Sequence, residues 1–90
     1  MHQLADALRR TCELLAASAD SDWTPWSAAE IRTELADMLV SLEAGHPPDK
    51  DQLRLLFVVT GPVQETSMAN GWSDEMLRLA EVVDRYTEEA

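Results

Sequence analysis

The stretch "VVTGPVQETSMANGWSDEM", residues 58–76, decides the fold class. Read as a hairpin turning at Asn70-Gly71, it brings strands into the chain, because Asn-Gly is a preferred two-residue hairpin turn. Read as a short helix opened by Pro62 and ended by Asn70-Gly71, it leaves the chain all-α. The flanks favour the helix. "ETSMA", residues 65–69, does not alternate apolar and polar side chains as a half-buried strand does. The sequence therefore predicts about two helical turns over residues 62–69, with Val63, Ser67 and either Met68 or Ala69 packing them.

Working outward, Ser73 reads as the N-cap of a last helix whose first turn carries Asp74 and Glu75 against the positive helix end. Met76, Leu79, Ala80 and Val83 fall on its inner face; Arg78, Glu81, Asp84 and Arg85 fall outside, and "TEEA" closes the chain as a polar terminus. On the other side lies "PDKDQLRLLFVV", residues 48–59, in which Asp49 or Asp51 can cap and Leu53, Leu56 and Phe57 share a face. Periodicity alone does not separate a buried helix from a strand across Leu55–Val59. The cap and the length favour a helix with Val58-Val59 as its extended end.

"DWTPWSAAE", residues 22–30, starts the second helix, with Thr24 capping and Pro25 in the first position; Ser27 with Glu30 offers a competing capping box one turn later. Ile31, Leu35, Met38, Leu39 and Leu42 then mark an apolar stripe to Ala44, before Gly45 and Pro47-Pro48 stop it. The first helix runs from about His2 to Ala19 on Leu4, Leu8, Cys12 and Leu15, with Asp6, Arg9, Arg10 and Glu13 on its other faces. The expectation is one all-α domain over residues 1–90. It is a compact bundle of about four helices, with a short extra helical or extended element between the last two.

Charge bounds the partner. Seventeen acidic against seven basic residues give a net charge of −10. Such a surface repels nucleic-acid phosphates and anionic lipid, and it suits a basic protein partner. No run approaches the length of a membrane span, and "MHQLADALRR" has no signal-peptide pattern, so a cytoplasmic protein is expected. Cys12 is the single cysteine and lies on an apolar face, which reads as a buried thiol without disulfide or metal framework. His2 and His46 lack partners at zinc spacing, and the lone Gly61 is no phosphate loop, so no metal and no cofactor is expected.

The residues best suited to touch a partner are Glu65, Trp72, Asp74 and Glu75, with Trp23 and Trp26 as a second group. Each has a structural alternative. Trp72 can be core, Glu65 can bond a neighbouring helix end, and Trp23 or Trp26 can staple the start of the second helix.

Thr60, Gly61, Pro62, Gln64, Glu65, Ser67, Gly71, Trp72 and Glu75, within residues 55–84, form a pattern that resembles a segment of small stand-alone acidic helical bacterial proteins. No established activity attaches to that pattern. By general type, such a protein is similar to immunity proteins that neutralise bacterial toxins. The expected function is thus a non-enzymatic protein-binding module, of the immunity or antitoxin kind, directed at a basic toxin.

A second pattern points elsewhere. "AEIRTELADML", residues 29–39, resembles half of the MazG-type nucleotide pyrophosphohydrolase signature, in which carboxylates on facing helices hold Mg²⁺. The resemblance implies Glu30, Glu34 and Asp37 as ligands, and Glu81 and Asp84 repeat the spacing on the last helix. The upstream Glu-Glu-x-x-Glu half is missing, since residues 1–22 hold only Asp6, Glu13, Asp20 and Asp22 as acids. A third expectation is a homo-oligomeric helical scaffold.

Overall fold

A computed structural model describes residues 2–22, 24–58 and 61–88. The chain is all-α: α1 (His2–Ala16), α2 (Ala28–Glu43), α3 (Lys50–Phe57), α4 (Pro62–Asn70) and α5 (Ser73–Glu88). Four of these form the bundle, and α4 is the short extra element, helical rather than extended. Residues 59–60, which carry the end of the expected extension and Thr60 of the resembling segment, lie outside the described residues, as do 89–90.

α1 and α2 pair antiparallel, since Arg9 meets Glu43 while Cys12 lies against the carbonyl of Arg32. α1 also packs on α5, which in turn supports α3 and α4. α5 runs antiparallel to α3: Tyr86 Oη, near the end of α5, donates to the Pro48 carbonyl just before α3, while Phe57 and Val58 at the end of α3 share a groove with Met76 and Leu77 near the start of α5. Leu8, Leu15, Ile31, Leu35, Leu53, Val63, Met76 and Val83 are fully buried where the helices meet. Burying each such side chain stabilises the fold by about 1.5–3 kcal/mol before chain entropy is subtracted.

Local chemistry sets the helix ends. α2 starts at the Ser27–Glu30 capping box, with Ser27 Oγ accepting from the Glu30 N–H and Glu30 Oε1 accepting from the Ser27 N–H, both at 3.0 Å. The expected start at Thr24-Pro25 is not used; Thr24 Oγ1 instead accepts from the Trp26 N–H at 3.3 Å within the preceding bend. At the other end, the His46 N–H returns to the Ser41 carbonyl and the Gly45 N–H to that of Leu42, so two orphan carbonyls are satisfied before Pro47. Asp49 caps α3 through the Gln52 N–H, and Asp51 lies inside the helix.

Three further expectations need correction. α1 ends at Ala16, three residues before Ala19: the Ala17 and Ser18 N–H groups tighten onto the Leu14 and Leu15 carbonyls, and Ser18 Oγ also donates to the Leu14 carbonyl. Ser73 is the first residue of α5 rather than its cap, and the Trp72 carbonyl accepts the Met76 N–H. On α4 the packing residues are Val63, Thr66 and Ser67, while Met68 is 59% exposed and Ala69 is also exposed.

Candidate partner-binding surface

The segment from Gly61 to Glu75 is fixed at both ends. Gly61 is buried; a Cβ there would stand 2.9 Å from the Val58 carbonyl oxygen and 3.0 Å from that of Leu55. Only glycine lets the chain leave α3 this closely and start α4 at Pro62. At the far end Gly71 takes φ +80, and the Trp72 N–H closes onto the Ser67 carbonyl.

From there the segment clasps the end of α1. Asn70 Oδ1 accepts from the Ala19 N–H, and its Nδ2 donates to the Ala19 carbonyl, both at 2.8 Å; Nδ2 also donates to the Thr66 carbonyl. Trp72, only 9% exposed, donates from Nε1 to Ser18 Oγ at 2.9 Å. One turn on, Glu75 takes a bidentate bond from Arg10 of α1, at 2.6 and 3.1 Å. The guanidinium holds the Glu75 carboxyl below the usual glutamate range, and the two carboxylates of Glu75 and Glu13 hold Arg10 still more firmly protonated.

The residues singled out in the sequence therefore divide. Trp72 is core, whereas the Glu75 carboxylate stays at the surface, engaged by Arg10. Asp74 is exposed beside them, and Glu65 is half-buried on α4. Trp26 immediately precedes the α2 cap, the staple position opposite Ile31, and packs half-buried against the core edge. Trp23 lies outside the described residues. Cys12 is half-buried, and burial pushes its thiol up, away from the reactive thiolate.

The carboxylates of the pyrophosphohydrolase pattern do not assemble. Glu30 is committed to the α2 cap, Glu34 and Asp37 are exposed on α2, and Glu81 and Asp84 are exposed on α5. Among the described residues, no three His, Cys, Asp or Glu side chains come together as a metal-holding group.

Two grooves flank α3. One, of about 420 Å³, lies toward α2, where Trp26, Met38, Leu56 and Pro62 are joined by the exposed Leu55 and by Glu34. The other, of about 580 Å³, lies between α3 and α5. Phe57, Met76 and Ala80 line it; Val58 (39% exposed) and Leu77 (57% exposed) stand at its α4 end beside Gln64. Toward the other end, Glu81, Asp84 and Glu88 line the α5 side, and Arg54 is drawn onto the Thr87 carbonyl at 2.9 Å. Sequence reading passed over this groove. The signal was Leu77, an apolar residue on the polar face of α5, in line with Glu81, Asp84 and Glu88 at helical spacing.

Comparison with family models, curated proteins and solved structures returns no match to this chain. Among the described residues, no helix is long and apolar enough to cross a membrane.

Proposed function

We propose that this chain is a non-enzymatic protein-binding module for a basic partner, of the immunity or antitoxin type that masks a toxin. The observation that carries the reading is the unbalanced charge of the surface. Of seven cationic side chains, Arg9 is engaged by Asp6 and Glu43, Arg10 by Glu13 and Glu75, and Arg54 by Asp51 and the end of α5. These pairs take up five of the seventeen acids; Arg32, Lys50, Arg78 and Arg85 are set against the other twelve, so the molecule, with net charge −10, keeps a strong acidic excess. A field of this sign raises the encounter rate with a basic protein and repels acidic competitors.

The test is affinity capture from the native lysate at low salt, followed by expression of the captured protein alone and together with this chain. The expected result is one basic protein, released by high salt, that arrests growth unless this chain is co-expressed. Capture of acidic proteins only, or a captured protein without effect on growth, would remove the immunity reading.

A further inference from the structure

We infer that the groove between α3 and α5 is the docking site for a basic amphipathic helix. The inference rests on the protein-binding reading above and adds to it the place and the chemistry of the contact.

The groove has two unlike ends in one line. Its α4 end is apolar and open: Val58 and Leu77 expose large side chains over Phe57 and Met76. Met68, one turn beyond Gln64 on α4, is 59% exposed and extends this apolar end, with Gln64 Nε2 set 4.0 Å from its sulfur. Flexible methionine is well suited to take up the shape of an incoming apolar side chain.

Toward the other end the wall of α5 is acidic. Leu77, Glu81, Asp84 and Glu88 fall at i, i+4, i+7 and i+11, which is one edge of the helix over about 16 Å of rise. The facing cation, Arg54, is turned onto the Thr87 carbonyl and so only partly offsets the three carboxylates. A helix lying along this groove would place leucine-like side chains over the Val58–Leu77 end. Its lysines or arginines, at the same three-to-four-residue spacing, would meet Glu81, Asp84 and Glu88. An apolar stripe flanked by cations is the complement that helix-in-groove recognition requires here. The α2–α3 groove has an apolar lining as well, but with Glu34 as its one acid it offers much less charge to orient the occupant.

The probe is a synthetic amphipathic peptide of about 14 residues, roughly 21 Å when helical, with leucines on one stripe and lysines beside it. A scrambled peptide of the same composition is the control, and binding is followed by anisotropy and by ¹⁵N amide shifts. Shifts concentrated at Val58, Gln64, Leu77 and Ala80 are expected. The double variant Glu81→Lys/Asp84→Lys should weaken binding at least about tenfold, and Leu77→Ser, at an exposed position, should weaken it without lowering the melting temperature. The equal charge change Glu34→Lys/Asp37→Lys on α2 should alter affinity less than about threefold. Shifts centred on α2, equal losses in the two charge variants, or equal binding of the scrambled peptide would each overturn the proposal. Failure of the wider reading looks different: the native lysate then yields no salt-released basic protein with the parent chain. If that protein is captured and is held as tightly by Glu81→Lys/Asp84→Lys, only the docking site falls.

Discussion

α1 and α4 are held in the same small fold by different means. α1 lays down a continuous apolar stripe, with Leu4, Leu8 and Leu15 buried around Thr11, and surface ion pairs flank it on both sides. α4 has no comparable stripe; Val63 is its one fully buried apolar side chain, next to Thr66 and Ser67. Its position is set by its ends, through Gly61 and Pro62 on one side and Asn70, Gly71 and Trp72 on the other. Repeating pattern specifies a long helix, whereas a short one needs chemistry at its boundaries, because few residues share the cost of ordering it.

That contrast predicts a ranked set of effects on stability. The largest belongs to the stripe: Leu8→Ala leaves a cavity at a fully buried site and should cost about 3–5 kcal/mol in urea unfolding. A loss below about 1 kcal/mol would mean that α1 repacks freely and is not the principal anchor. Gly61→Ala comes next, at about 2–3 kcal/mol, since the added methyl meets two backbone carbonyl oxygens that have no side-chain freedom to yield. Asn70→Ala removes two hydrogen bonds to Ala19 across the clasp and one to Thr66 within α4, and should cost about 1–2 kcal/mol. If Asn70→Ala were silent while Gly61→Ala remained costly, the clasp on Ala19 would be dispensable and only the entry to α4 would matter.

Thr66→Val reverses the sign. Thr66 Oγ1 is buried and has no hydrogen-bond partner among the described residues. Replacing the hydroxyl with a methyl of the same shape should raise stability by up to about 1 kcal/mol. A clear loss would reveal a partner for that hydroxyl. The smallest effect concerns Glu75→Gln. Because the folded protein holds the Glu75 carboxyl below its ordinary value, the Arg10 pair stabilises the fold above the usual glutamate pKa. That increment is lost as pH falls through the lowered value. Melting temperatures from neutral to strongly acidic pH should therefore fall slightly less in Glu75→Gln than in the parent. Identical pH profiles would show that this exposed pair contributes nothing measurable.

The same contrast explains what could be read from the sequence. The stripes of α1, α2 and α5, the Ser27–Glu30 box and the Pro62–Gly71 bounds of α4 all depend on neighbours within a turn or two, and they were legible. Asp20 capping the Ala28 N–H from eight residues away was not, because the loop geometry that returns it to α2 leaves no periodic trace. The clasp of Asn70 and Trp72 on Ser18 and Ala19, and the pairing of Glu75 with Arg10, join residues more than 50 positions apart. Seen alone, an Asn-Gly-Trp followed by acids looks like a recognition surface; its bonds across the fold make much of it a lock. The groove was hidden for the opposite reason. Glu81 and Asp84 were visible as outward acids, but Val58 and Leu77 become neighbours only when α3 and α5 lie side by side.

The measurement that tests the central claim most directly is the association rate of the captured partner as a function of ionic strength. Steering by an acidic surface predicts that the rate falls at least about tenfold between low and several-hundred-millimolar salt, while dissociation changes little. An association rate that stays flat across that range would contradict the account, since the charge of this surface would then have no part in finding its partner.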